Sequence, residues 1–338
     1  MARLTVLKIV ALALAVLSVT AGPALASVIT TGDVDPGGAA TQPDPWAVGG
    51  TLKVGDSGSG TLNVESGGVV FNTNGYIGRE SDSTGEAIVT GLGSQWHNSD
   101  KLYVGAKDNG TLNIKAGGVV SNTSGYIGHS SGSTGVATVT GSGSQWNNSE
   151  QLYVGRSGSG TLNVEAGGMV SSAGSSIGLY FGSTGEATIT GSNSTWSNSG
   201  GLYIGGDSSG SGSNGTLNLY DSGLVTVSDT TKLWSGGTIN LDGGTLDVGD
   251  LDVTEGTFNM TGGFLHATQV IGDINVQGGI VAPGDSLGIL TITGNYVQSA
   301  AAILGIELGG TVRGDEHDAM IVDGDFTPNG HLAVLPID

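Results

Sequence analysis

The sequence predicts an all-β protein, a right-handed parallel β-helix with about two coils per 50-residue repeat, and three observations point to it. The chain of 338 residues holds 64 Gly and only 12% charged residues, and Gly in a helix interior costs about 1 kcal/mol relative to Ala. Beyond residue 30 no stretch carries apolar residues at helical spacing. Instead Val, Ile, Thr and Leu come in short runs bounded by Gly, Ser, Asn or Asp, the pattern of strands and turns. Finally, the motifs recur at a fixed period, which marks a solenoid or array.

Residues 1–26 read as a secretory signal peptide. Arg3 and Lys8 supply the positive start, Ile9 to Val19 the apolar segment, and Ala24-Leu25-Ala26 a cleavage site before Ser27. An N-terminal anchor fits less well, because the apolar run falls short of the ~20 residues of a span and is broken by Gly22 and Pro23. Losing Arg3 and Lys8 leaves 8 basic residues against 30 acidic ones, a net charge of −22 for the mature chain. Such a charge disfavours nucleic acid and anionic lipid as partners, and no second apolar stretch is long enough to span a membrane. With no cysteine, stability must come from backbone pairing and stacked apolar side chains.

After a Pro-containing lead at residues 27–45, tandem repeats run from 46 to 235. Trp46, Trp96, Trp146 and Trp196 are fifty residues apart, as are "LKVG" at 52, "LYVG" at 102 and 152 and "LYIG" at 202. "GTLNV" at 60, "GTLNI" at 110 and "GTLNV" at 160 keep the period, and "GTLNL" at 215 comes five residues late behind "DSSGSGSNG", an insertion expected to be a surface loop. Each unit divides into halves of 23 and 27 residues, measured from Tyr103 and Tyr126, each with about three short strands. That is one coil of a three-sided solenoid. A lone coil cannot bury its inward side chains, but coils stacked at ~4.8 Å pair every strand and close a continuous core.

Alternation assigns the faces. Leu62, Val64, Ala87, Val89, Leu102 and Val104 point inward, with Asn63, Ile88 and Tyr103 outward. Tyr76, Tyr103, Tyr126, Tyr153 and Tyr203 then form an external ladder, a candidate ligand surface, interrupted once by Ser176. The four Trp residues form a column along the axis whose direction, inward or outward, the sequence leaves open. Asn98, Asn148 and Asn198, and separately Asn63, Asn113 and Asn163, are expected as stacked amides on every second coil. From Gly236 to residue 338 the repeat changes to closer "GGTINL", "GGTLDV" and "GTFNM" units, and the last forty residues are expected to form a C-terminal cap.

The unit "GTLNVEAGGMVSSAGSSIGLYFGSTGEATITGSNSTWSNSGGLYIG" resembles the type V secretion and PEP-CTERM-associated repeat over roughly residues 46 to 220. "GGIVAPGDSLGILTITGNYVQ" at 278, with "LGIELGGT" at 304 and "HDAMIVDGDF" at 317, resembles the end of autotransporter passenger domains. The resemblance implies an exported protein of a Gram-negative-type bacterium, displayed at the outer membrane or secreted. Such passengers continue into a membrane barrel, and PEP-CTERM proteins end in a sorting tail. Here "HLAVLPID" ends the chain, so a secreted solenoid without its own anchor or a shortened reading of a longer gene is expected.

Chemistry is sparsely signalled. His97, His129, His266, His317 and His331 fall at no metal-ligand spacing, and "GDEHD" at Asp315 to Asp318 fits a charged loop better than a cation site. No cofactor is expected, although weak surface calcium binding is compatible with so acidic a chain. A polysaccharide lyase needs Arg or Lys beside clustered carboxylates, whereas Lys53, Arg79, Lys101, Lys107, Lys115, Arg156, Lys232 and Arg313 lie mostly in variable corners. The expectation is a non-catalytic, exported structural or adhesive solenoid. The alternative is a polysaccharide-binding or polysaccharide-cleaving β-helix. Extracellular glycans or other cell-surface proteins are the expected partners.

Overall fold

The computed structural model describes residues 25–284 and 287–336, so all but the end of the signal peptide assigned to residues 1–26 lies outside the described residues. The described chain is all-β, without a helix, a β-solenoid of about 12 turns. One coil shows how the sequence turns. Asn109–Lys115, Val119–Asn122 and Ser124–Ile127 make three sides, and the next coil lays Thr134–Thr140, Gln145–Asn148 and Gln151–Val154 over them. Between these coils the pairing is parallel and in register: Leu112 faces Ala137, Val120 faces Trp146, and Tyr126 faces Tyr153. Corners between sides are tight. At Gly128, φ is +67° and a Cβ would sit 2.2 Å from the Ser159 carbonyl oxygen, so only Gly fits.

Inside, the coils alternate in kind. One carries Leu62, Val64, Val70, Asn72, Gly75 and Ile77 inward; the next carries Ala87, Val89, Trp96, Asn98, Leu102 and Val104. Leu opposes Ala on the long side, Val opposes Trp on the second and Gly opposes Leu on the third. The large and small residues thus exchange places from coil to coil, as interior packing at native density requires.

The Trp column faces inward. Trp46 is 7% exposed and Trp96, Trp146 and Trp196 are fully buried, each separated from the next by Val70, Val120 or Val170. The three fully buried indoles lean back into the preceding coil. Trp96 Nε1 donates to Asn72 Oδ1 at 2.5 Å and Trp146 Nε1 to Asn122 Oδ1 at 2.7 Å. Asn72 and Asn122 donate in turn to Asn98 and Asn148, both at 2.6 Å. A Cβ at Gly125 would lie 2.4 Å from Asn148 Oδ1, 2.9 Å from Leu152 Cδ1 and 3.0 Å from the Trp146 ring. The Gly is therefore the socket into which the next coil's Trp and Leu fit. The amides expected on every second coil are joined by Asn72 and Asn122 from the coils between. Outside, Asn218, Asn240 and Asn259 form a continuous ladder at 2.8 and 2.9 Å.

The third unit solves the same problem differently. Ser172 and Ser175 stand where Asn122 and Gly125 stand, and both hydroxyls donate to Asn198 Oδ1, at 2.8 and 2.6 Å. Trp196 Nε1 reaches Ser172 Oγ at 3.4 Å.

The two ends of the stack are built differently. The lead folds as part of the body: Ser27–Gly32 runs antiparallel to Ser59–Glu65, Ala40–Gln42 runs antiparallel to Ser27–Gly32, and Val34–Asp35 runs antiparallel to Leu52–Val54. The last forty residues, expected as a C-terminal cap, form the final coil of the stack. Ala319–Val322, Phe326–Pro328 and His331–Pro336 continue the parallel ladders, with Met320 and Val322 packed against the core and most of His331–Pro336 exposed.

Candidate functional site

The outward tyrosines of successive coils are in register, so their rings stack. Tyr76–Tyr103, Tyr103–Tyr126 and Tyr126–Tyr153 have centroids 4.6, 4.8 and 5.0 Å apart and planes within 17°, the offset geometry aromatic pairs favour. Burial first, and then the neighbouring phenols, push the Tyr103 hydroxyl well above its ordinary pKa. His129 packs edge-on against Tyr103 and Tyr126 at 4.9 and 5.2 Å. Burial, then the Arg156 charge, hold His129 below its usual pKa, leaving the ring neutral with Arg156 Nη1 3.4 Å from its Nε2.

The ladder ends in charge below and in a gap above. Lys53 precedes Tyr76 in the column. It pairs with Asp35 at 2.6 Å and Asp56 at 3.3 Å, Arg79 pairs with Asp56 at 2.7 Å, and Lys107 pairs with Glu80 at 2.6 Å. Above Tyr153 comes Ser176 and then Tyr203, so Tyr203 stands apart from the other four. A cavity of about 490 Å³ opens at this gap, lined among others by Tyr153, Arg156, Ser176, Tyr180, Tyr203 and Asp207. Its volume falls within the roughly 300–1,000 Å³ of small-molecule sites.

Of the predicted residues, Tyr76, Tyr103, Tyr126 and Tyr153 are thus brought together on the surface. Trp46, Trp96, Trp146 and Trp196 are core and beyond a ligand's reach. "GDEHD" is held as a loop: Glu316 accepts the backbone N–H groups of Thr311 and Val312 at 2.7 and 2.9 Å, and Asp318 those of Gly288 and Glu307 at 2.9 and 2.7 Å. Among the described residues no group of three or more His, Asp or Glu is gathered for a metal ion. Sequence reasoning missed Arg156, Tyr180 and Asp207. Their signal was available as departures from the repeat at fixed offsets from Ser176. Comparison of the chain with family models, curated proteins and solved structures returns no match.

Proposed function

We propose that the chain is an exported, non-catalytic β-solenoid serving as a structural or adhesive rod at the surface of, or outside, a Gram-negative-type cell. The observation that supports this is the repetition of one two-coil unit whose Trp, Asn and Gly interlock internally and whose outward faces are regular ladders. At ~4.8 Å per coil, about 12 turns make a rod roughly 55 Å long. Rigid reach of this kind, with repeats that add length without altering the ends, suits presentation better than turnover. The test is to express the full chain in a bacterium with an outer membrane, fractionate it, and sequence the N-terminus of the product. Mature protein starting at Ser27 in the medium or accessible to external protease is the expected result; an intact chain confined to the cytoplasm would sink the proposal.

The stacked tyrosines favour a second reading, that the rod binds polysaccharide along this face. Aromatic rings present flat apolar area at little entropic cost.

A further inference from the structure

In a tandem repeat, most positions are dictated by the coils on either side, so departures that gather at one place need a separate reason. Here they gather around Ser176. It replaces the tyrosine present at 76, 103, 126, 153 and 203. Leu179-Tyr180-Phe181 replace Arg79-Glu80-Ser81 and His129-Ser130-Ser131 of the sister coils. Arg156 stands where Asp56 and Ala106 stand, while Gly174, Gly200 and Gly201 stand where Ser124, Glu150 and Gln151 stand. The short hairpin Gly206–Asp207 with Gly210–Ser211 is inserted beside them.

Of these changes only Leu179 adds a buried apolar side chain. Phe181 is 97% exposed and Tyr180 46%, apolar surface that the fold gains nothing by showing. Arg156 makes no ion pair among the described residues, although the chain carries a net charge of −20. It lies over the Tyr180 ring at 4.9 Å. The glycines strip one wall, and Tyr203 leans over Gly201, where a Cβ would meet its hydroxyl at 2.9 Å. Apart from Phe181 and the hairpin's Gly206, Gly210 and Ser211, these residues line the cavity of about 490 Å³, with Ser176 as its nearly covered floor.

We propose that this gap is a carbohydrate-binding slot that takes a pyranose ring against Tyr153, with Tyr203 as the far wall and Gln151, Arg156 and Asp207 reaching the ring's hydroxyls. The inference rests on the second functional reading and places its centre. A missing rung leaves two coil spacings, roughly 9.6 Å, so an inserted ring lies about 4.8 Å from each neighbour, within the 4.5–7 Å of ring stacking. The Tyr153 face turned toward Ser176 has no aromatic partner among the described residues, its one stacked neighbour being Tyr126. A ligand must offer apolar faces to the rungs and a polar edge to the amide, guanidinium and carboxylate of the rim. A pyranose does both; the C–H edge of a phenyl group would leave the rim unmatched.

The test uses the mature chain and hexasaccharides of β-linked glucose, N-acetylglucosamine and galacturonate, followed by calorimetric titration and ligand-observed NMR. Ser176→Tyr supplies the missing rung, a change the sister coils already accommodate, and is expected to keep the melting temperature while weakening binding by more than about tenfold, the loss of roughly 1.4 kcal/mol. Leu92→Ser, at an exposed corner away from the ladder, is expected to leave binding unchanged, and Tyr76→Ser asks separately whether the rest of the ladder binds. Saturable binding of at least one hexasaccharide that Ser176→Tyr removes supports the slot. Binding lost on Tyr76→Ser but retained by Ser176→Tyr would overturn the slot while keeping a glycan-binding ladder. Failure of all three sugars to bind, or binding of N-acetyl-tyrosinamide in their place, would overturn both.

Discussion

The interlocked core makes a prediction that the chain has already tested on itself. Asn122→Ser removes the amide that donates to Asn148 at 2.6 Å and accepts from Trp146 at 2.7 Å. Leaving buried polar partners unmet costs about 1–3 kcal/mol each, so this substitution should destabilise by about 2–4 kcal/mol. Gly125→Ser pushes a Cβ to 2.4 Å from Asn148 Oδ1 and 3.0 Å from the Trp146 ring, an overpacking cost of about 1–3 kcal/mol. Made together they recreate the cluster around Trp196, where two serine hydroxyls donate to Asn198. The double variant should lie within about 1 kcal/mol of the parent, a coupling of at least about 2 kcal/mol in its favour. Guanidinium denaturation of the four chains, followed by circular dichroism, measures the cycle. Costs that add to within about 0.5 kcal/mol would refute the idea that the Asn-Gly and Ser-Ser pairs are alternative sockets for the same indole.

The remaining predictions concern phase, pH and charge. Deleting residues 103–152 joins Leu102 to Tyr153 and keeps the alternation of coils, so the shortened chain should fold with a similar denaturation midpoint. Deleting only the coil from 127 to 152 stacks Val120 and Gly125 against Val170 and Ser175, two coils that are small on the same two sides, and should cost about 3–5 kcal/mol, the loss expected when a buried Trp leaves a cavity. His97 and His129 are held below their ordinary pKa, both chiefly by burial. The fold therefore prefers them neutral, and stability present above the unfolded value of ~6.5 should fall as pH drops through that value toward the lower folded ones. Asp33, held low first by the Ser57 N–H, and Asp56 and Asp252, held low by Arg79 and Lys53 and by Lys232 against opposing burial, should give a second loss below ~4. Thermal melts from about pH 8 to 3 would show both steps, and a flat profile between about pH 7.5 and 5 would contradict the first. Lys232 sits 2.6 Å from Asp252 and 4.4 Å from the Trp234 ring. Lys232→Ala should cost about 1–3 kcal/mol by stranding a mostly covered carboxylate, while Lys232→Met with Asp252→Leu should be near neutral by the same denaturation assay.

Period and alternation made the stack of coils legible from the sequence, because a strand's inward residues are every second one and the unit returns every fifty. The direction of the Trp column was not legible, for a physical reason. Trp96 alternates with Gln95 and His97, but its inward companion is Asn98, a polar residue that hydrophobic periodicity places outside. Asn98 is buried because Asn72, 26 residues earlier, satisfies its carbonyl. Ser94 was hidden in the same way. Fully buried at a corner, it accepts the Gly67 N–H at 3.0 Å and donates to the Thr90 carbonyl at 2.7 Å. The tyrosine ladder and its break at Ser176 could be read directly. The cavity at the break could not, since Arg156, Tyr180 and Asp207 meet only through the stacking of corners from three coils.

The antiparallel strands at the N-terminal end have a consequence for assembly. A stack of parallel coils is a template on which a second copy could continue the ladder, and a filament needs every copy to be open at both ends. Ser27–Gly32 reverses direction against the first long strand and is itself covered by Ala40–Gln42, with Val34–Asp35 reversed on a neighbouring side. Parallel in-register addition does not continue across a reversed strand, so about a dozen residues at one tip work against head-to-tail growth of the stack into a fibre.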